Sequence, residues 1–138
     1  MTKSTKPKYR SKFEASLAKG PLKHVPYEPI VVQYGVVIQD VRKYTPDFVF
    51  QKGFMTYMIE AKGRFRTPDE VQKYLFVRES LPENMKLVFL FMNPETKMPG
   101  AKVRKNGTFR TMAEWADTEG FTFYTKETIL ELVGKSKE

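Results

Sequence analysis

The sequence contains no cysteine and a single histidine, and it has no long apolar run. Without cysteine the chain can form neither disulfide bonds nor thiolate metal sites, which is consistent with a reducing cytoplasm. A membrane-spanning helix needs about 20 consecutive apolar residues, so we expect no membrane contact. Basic residues 1–12 have no apolar segment after them, which argues against a secretory signal. Nothing elsewhere in the sequence supports a hydrolase triad built on His24.

The chain has enough apolar residues for one folded domain. It contains 138 residues, of which 41% are hydrophobic and 14% aromatic. This length and composition allow a real core and argue against a mainly disordered chain. We therefore predict a single domain over residues 1–138, in which residues 1–9 form a flexible basic arm and residues 135–138 a solvated tail.

Positive charge is in excess and is concentrated in two segments. Lysine and arginine number 24 against 16 aspartate and glutamate residues, giving a net charge of +8. Such a surface attracts polyanions, although it could also serve solubility alone. The segments are the N-terminal arm and residues 97–110, and the helix after residue 66 adds two more cations. The predicted DNA-contacting residues are Lys8, Arg10, Lys12, Lys73, Arg78, Lys97, Lys102, Arg104 and Lys105.

Hydrophobic periodicity and capping signals predict an α/β (α+β) fold, with a mixed central β-sheet flanked by helices. Helices are predicted over residues 12–19, 67–80, 111–120 and 125–134, because each begins at a serine or threonine cap or ends at glycine or proline. Strands are predicted within residues 25–44 and over residues 47–50, 54–62, 87–92 and 121–124. The apolar run over residues 87–92 is typical of a strand that is buried on both faces.

Two carboxylates and a lysine form the pattern that indicates chemistry. Side chains alternate along a strand, so Glu60 and Lys62 share a face, and the adjacent strand begins at Asp47. Two carboxylates suit Mg²⁺, and a lysine beside them can orient a water and offset charge on a phosphate. An ion pair on a solvated strand and a turn aspartate are the structural alternative. The apolar residues 54–59 favour a site, since charges at the end of a buried strand are costly without a partner.

The simplest turn between these strands does not place Asp47 opposite Glu60. A turn at residues 51–53 would place Asp47 opposite Tyr57 and not opposite Glu60. A longer turn that includes Phe54 and Met55, or a β-bulge, would restore the register.

The motif Asp47, Glu60-Ala61-Lys62 resembles that of PD-(D/E)xK nucleases, and the wider pattern resembles the bacteriophage endonuclease I family of Holliday junction resolvases. The resemblance extends over roughly residues 9–130. The similar segments are Arg10-Ser11, Glu14, Tyr44-Thr45-Pro46-Asp47-Phe48, Glu60-Ala61-Lys62-Gly63, Arg78-Glu79, Pro82-Glu83 and Leu87-Val88-Phe89.

The resemblance implies a restriction-endonuclease-like, strand-exchanged homodimer that cuts branched double-stranded DNA in the host cytoplasm without a nucleotide cofactor. It implies a catalytic set of Glu14, Asp47, Glu60 and Lys62, with Glu14 supplied by the other subunit. It further implies Mg²⁺ ions, for which Mn²⁺ substitutes, bound by Asp47, Glu60, Glu14 and the Ala61 carbonyl. Glu14 also has a local explanation, because it stands at the third position of a capping box begun by Ser11.

Two other functions remain open from the sequence. A sequence-specific or nonspecific duplex nuclease of the PD-(D/E)xK group would share the chemistry but not the substrate. A nucleic-acid-binding module without activity would show salt-dependent binding and no Mg²⁺-dependent nicking.

Overall fold

The computed structural model describes residues 9–35 and 41–134. The predicted solvated tail, most of the predicted arm and Lys8 lie outside these residues. Tyr9 is described, and its ring packs against Tyr27 with centroids 4.6 Å apart. The elements in chain order are α1 (Lys12–Lys19), β1 (Val32–Gly35), β2 (Val41–Tyr44), β3 (Phe48–Lys52), β4 (Met55–Lys62), α2 (Pro68–Glu79), β5 (Met85–Phe91), α3 (Met112–Glu119), β6 (Phe123–Tyr124) and α4 (Leu130–Val133).

The described strands form a mixed four-stranded sheet and a separate two-stranded one. The larger sheet has the order β3-β4-β5-β6, with β3 antiparallel to β4 and the other pairs parallel. Parallel pairing of β4 and β5 needs a crossover connection, which α2 provides. Strands β1 and β2 pair antiparallel, and β1 packs against α2. The predicted mixed sheet flanked by helices is confirmed.

The core lies on both faces of the larger sheet. Aromatic side chains under α2 and α3 dominate one face, where Phe89 contacts Trp115 edge-on. The other face is mainly aliphatic and is covered by α1 and α4. Strand β5 is buried on both faces over residues 87–91, as its apolar run predicts. No helix in the described parts of the chain is long and apolar enough to cross a membrane.

Three helices begin where their capping residues predict. Ser11, Thr67 and Thr111 each accept a hydrogen bond from the backbone N–H three residues later. The last helix is shorter than predicted, because residues 126–129 form a turn before α4. Of the described residues within the β-rich segment 25–44, those at 32–35 and 41–44 are in strands.

The prediction for the β3–β4 turn was wrong, and the observed turn explains how Asp47 comes to lie beside Glu60. Lys52 pairs with Met55, so the turn consists of Gly53 and Phe54 alone. Gly53 has a φ of 63°, a left-handed conformation that glycine adopts without strain. The ladder pairs Phe48 with Ile59, and its continuation by one residue brings the preceding aspartate beside Glu60. Neither a longer turn nor a bulge is needed.

Candidate active site

The side chains predicted to be catalytic converge at the end of β4. Glu60 and Lys62 share a face of this strand, with Lys62 Nζ 3.4 Å from Glu60 Oε2. Asp47 immediately precedes β3, and its Oδ2 accepts a 2.9 Å hydrogen bond from the Ala61 backbone N–H. Glu14 approaches from α1. The four ionisable side chains line one cleft of about 490 Å³.

Asp47 is a buried carboxyl group among other acids. Burial, followed by the nearby Glu60 and Glu14, raises the pKa of Asp47 to about 10, although the Ala61 N–H acts in the opposite direction. A carboxylate oxygen of Asp47 lies within 4.8 Å of one of Glu14. A proton held between neighbouring carboxyl groups relieves their repulsion, and a cation would do the same.

Glu14 caps α1, as the sequence indicated, and its side chain also lies in the cleft. Its backbone N–H donates to Ser11 Oγ at 3.0 Å, which caps α1. Its Oε1 accepts from the Ser11 hydroxyl at 3.0 Å, and its Oε2 from the Tyr27 hydroxyl at 3.3 Å. The side chain is buried in the cleft, so capping and membership of the acidic site are compatible.

Glu60 is held by two tyrosines that sequence reasoning did not assign to the site. The Tyr44 hydroxyl donates to Glu60 Oε1 at 2.6 Å, and the Tyr74 hydroxyl donates to Oε2 at 3.0 Å. Burial and the charge of Glu60 raise the pKa of both tyrosines well above the usual range, so both stay protonated donors. Position gave a signal for Tyr44, three residues before Asp47, whereas Tyr74 reaches the site only through the packing of α2.

The Lys62 ammonium lies between carboxylates and aromatic rings. Glu70 Oε2 is 2.7 Å away, and the ring centroids of Tyr74 and Phe65 are 5.0 and 5.8 Å away. Burial acts to lower the pKa of Lys62, but Glu60 and Glu70 outweigh it and the pKa is raised. Lys62 is therefore a cation at neutral pH.

Three carboxylates in this site have the arrangement of a cation-binding group. Glu14, Glu28 and Asp47 each place a carboxylate oxygen within 4.8 Å of the others, and Glu60 is not a member of this group among the described residues. Hard oxygen donors that lie this close together suit Mg²⁺ or a similar divalent cation. Sequence reasoning missed Glu28, although it stands between Pro26 and Pro29, in a segment whose backbone is restricted.

Backbone and side-chain contacts hold Glu28 in place. Its backbone N–H donates to the Asp47 carbonyl at 2.7 Å, and its Oε2 accepts from Arg10 Nε at 2.6 Å. Its φ of 48° is unusual for a residue other than glycine. Such strain persists only where surrounding contacts impose it, and here they hold a carboxylate beside Asp47.

The sequence matches one family over nearly its whole length. The family model for phage endonuclease I matches residues 2–137. The chain belongs to the phage endonuclease I family. Comparison with curated proteins gives no match. Family membership makes this protein an endonuclease that acts on DNA, and it confirms the resemblance inferred from the sequence.

The endonuclease brings its own Glu14 to Asp47 within one chain, whereas the resemblance implies a Glu14 from the partner subunit. Helix α1 and strand β1 are joined to β2 and the rest of the site through residues 36–40, which lie outside the described residues. Exchange of an identical segment between two copies would replace this intramolecular contact by the same contact between subunits. The single chain therefore shows which groups meet, and the origin of Glu14 in the assembled endonuclease stays a prediction.

Several predicted DNA-contacting residues lie near the cleft. Arg10 and Lys12 are exposed at its edge, and Arg10 pairs with Glu28. Lys73 lies on the Tyr44 side, with Nζ 5.5 Å from that ring. These positions would allow contacts with the DNA backbone on either side of the acidic cleft.

The other predicted contacts lie farther along the chain. Lys97, Lys102 and Lys105 are exposed in the loop between β5 and α3. Arg104, in the same loop, pairs with Glu114 at 3.3 Å. Arg78 instead donates to the Glu119 carbonyl and stacks 4.2 Å from the centroid of the Phe121 ring. The structure thus gives Arg78 a role in joining α2 to the end of α3, and it would have to leave these contacts to reach DNA.

The raised pKa of Asp47 predicts a stability cost of the site. In the folded protein Asp47 retains a proton that the unfolded chain releases near pH 4. Its contribution to stability is complete below that pH and is lost as the pH rises toward about 10. We expect Asp47→Asn to increase the free energy of unfolding by about 1–3 kcal/mol at pH 8 in EDTA, because asparagine cannot ionise and still accepts from Ala61.

Urea denaturation of both proteins in EDTA measures this effect. The gain should shrink as the pH falls to 4, and the exposed control variant Asp69→Asn should show no such gain. An Asp47→Asn protein that is no more stable than the wild type at pH 8 would contradict the prediction.

Proposed function

We propose that this endonuclease resolves four-way (Holliday) junctions and other branched DNA by Mg²⁺-dependent hydrolysis of phosphodiester bonds. The observation that supports hydrolysis is the convergence of Asp47, Glu60 and Lys62 at the end of β4, beside two further carboxylates. Membership of the phage endonuclease I family supports the branched substrate. The excess positive charge supports binding of a polyanion.

The carboxylates would hold the cation, and the other side chains would prepare the phosphate for attack. Glu14, Glu28 and Asp47 are the proposed ligands, and the sequence adds Glu60 and the Ala61 carbonyl. Bound there, Mg²⁺ supplies Lewis-acid activation of a water and neutralises charge on the phosphate.

The residues of the chain itself contribute orientation and fixed charge. Lys62 is protonated, so it can donate to a phosphate oxygen or to the attacking water but cannot accept a proton from that water. Tyr44 and Tyr74 keep the Glu60 carboxylate in one orientation. A preset arrangement of this kind lowers the cost of reaching the transition state.

Cations on both sides of the catalytic group would bind the DNA backbone. Arg10, Lys12, Arg64 and Arg66 line the main cleft. A second cleft of about 340 Å³ shares Asp47, Glu60 and Lys62 with the first, and Lys43 and Lys73 line it. A strand passing across β4 would therefore meet positive charge before and after the scissile phosphate.

We also propose that the working enzyme is a homodimer in which Glu14 of one subunit joins Asp47, Glu60 and Lys62 of the other. A two-fold dimer matches a substrate that has two strands to cut at one branch point. On exchange, the contact between Glu14 and Asp47 within one chain would become a contact between two subunits.

A cleavage gel tests the substrate and the metal together. A labelled four-way junction and a linear duplex of the same sequence are incubated with Mg²⁺, Mn²⁺, Ca²⁺ or EDTA. We expect cutting of the junction in Mg²⁺ and Mn²⁺, and binding without cutting in Ca²⁺ and in EDTA. Equal cutting of both substrates would favour a duplex nuclease, and cleavage in EDTA would contradict the metal requirement.

A further inference from the structure

Two carboxylates pair with Lys62, and the nearer one belongs to Glu70, three residues after the α2 cap Thr67. Glu70 Oε2 lies 2.7 Å from Lys62 Nζ, compared with 3.4 Å for Glu60 Oε2. A contact this short between an ammonium and a carboxylate is a charge-assisted hydrogen bond. The side chains of Lys62 and Glu70 are 12% and 24% exposed, so solvent screens this pair less than it screens a surface pair.

Glu70 also binds the loop between β4 and α2. Its Oε1 accepts from the Arg66 backbone N–H at 2.7 Å, and its own backbone N–H donates to Thr67 Oγ1 at 3.1 Å. One side chain thus ties the lysine at the end of β4 to the loop that lines the cleft and to the first turn of α2.

Comparison with α3 shows that capping alone does not explain this geometry. Glu114 has the equivalent position in α3, where it completes a capping box by accepting from the Thr111 backbone N–H at 2.9 Å. Glu70 accepts instead from the residue before its cap, Arg66, and directs its other oxygen at Lys62. The same local sequence signal therefore serves two different arrangements, and only one reaches the cleft.

We propose that Glu70 is a positioning residue that fixes the Lys62 ammonium for the cleavage step. The proposal rests on the proposed function, in which Lys62 acts on the phosphate or its water. A lysine side chain is flexible and loses considerable rotamer entropy when it is ordered. Glu70 supplies a fixed partner, and the faces of Phe65 and Tyr74 restrict the remaining directions. Substrate then meets an ammonium that is already in place.

Single-turnover cleavage separates this role from a structural one. The variants are Glu70→Gln, which keeps an acceptor without charge, and Glu70→Ala, which removes both; Glu114→Ala is the matched control. We expect the rate of cutting a pre-bound junction in Mg²⁺ to fall about 10- to 100-fold for Glu70→Ala and less for Glu70→Gln. Junction affinity in Ca²⁺ should stay within about two-fold of wild type, because Glu70 is an anion and is not among the proposed DNA contacts.

The control removes a glutamate that completes a helix cap outside the cleft, together with its pair to Arg104. Glu114→Ala should lower the melting temperature, as loss of a cap does, and leave the cleavage rate unchanged. Equal rates for the Glu70 and Glu114 variants would overturn the positioning role, as would a fall in rate fully accounted for by lost binding. If Glu70→Ala does not fold, Glu70→Gln is subject to the same comparison. A wild-type protein that shows no Mg²⁺-dependent cutting contradicts the proposed function itself, whereas wild-type cutting with unchanged Glu70 variants contradicts only this inference.

Discussion

Replacing Lys62 by methionine is expected to lower the cleavage rate of a four-way junction at least about 10³-fold and to leave its binding nearly unchanged. Methionine keeps an apolar stem against Phe65 and Tyr74, so the substitution removes the charge with little change in packing. In the proposed function, the ammonium removed by this substitution offsets negative charge on the phosphate. Single-turnover rates in Mg²⁺ and affinities in Ca²⁺ measure the two effects separately.

Lys73→Met is the matched control for this experiment. Lys73 Nζ also lies over the Tyr74 ring, 5.4 Å from its centroid. Lys73 belongs to α2, however, and not to β4. Its removal should weaken binding and reduce the salt dependence by about one phosphate contact, with little effect on the rate once DNA is bound. A Lys62→Met protein that loses binding together with cleavage would contradict the assignment of Lys62 to the chemical step.

The second large effect is recovery of activity from two inactive chains. Glu14→Ala and Lys62→Met should each abolish cleavage alone. If sites are shared between subunits, a mixed dimer contains one site with both changes and one intact site. Random co-refolding of equal amounts should then restore about one quarter of the sites, since about half of the dimers are mixed. A supercoiled cruciform plasmid should be nicked in one strand by these dimers and not cut in both.

The same experiment distinguishes the intramolecular arrangement from the exchanged one. If each chain supplies its own Glu14 to Asp47, every site in the mixture keeps one of the two changes and no activity returns. Wild-type protein taken through the same refolding is the control for recovery of the fold. Absence of recovery beside an active refolded control would reject the shared site while leaving the role of the catalytic residues intact.

Much of the fold followed from local sequence patterns. The caps at Ser11, Thr67 and Thr111 marked three helix starts, because a side-chain oxygen near the first turn satisfies a backbone donor locally. Alternation along a strand placed Glu60 and Lys62 together, because the side-chain period of a strand is fixed by its backbone. These features depend on residues a few positions apart, which the sequence displays directly.

The hairpin and the partners of the catalytic side chains did not follow from such patterns. Glycine can occupy either the last or the first position of a turn, and only the ladder itself shows that Gly53 comes first and that Lys52 is paired. Tyr74 reaches Glu60, and Glu28 reaches Asp47, across distances in sequence that no periodicity encodes.

Asp47, Glu60 and Lys62 were found in part from the sequence and in part from the tertiary structure. The sequence by itself determined the family, the mixed sheet and the identity of Asp47, Glu60 and Lys62 as candidates, since motif spacing and alternation are local properties. Only the tertiary structure decided that Asp47 lies beside Glu60 and that Glu70 holds the lysine, because those contacts arise when separate elements pack and bury charges that must then find partners.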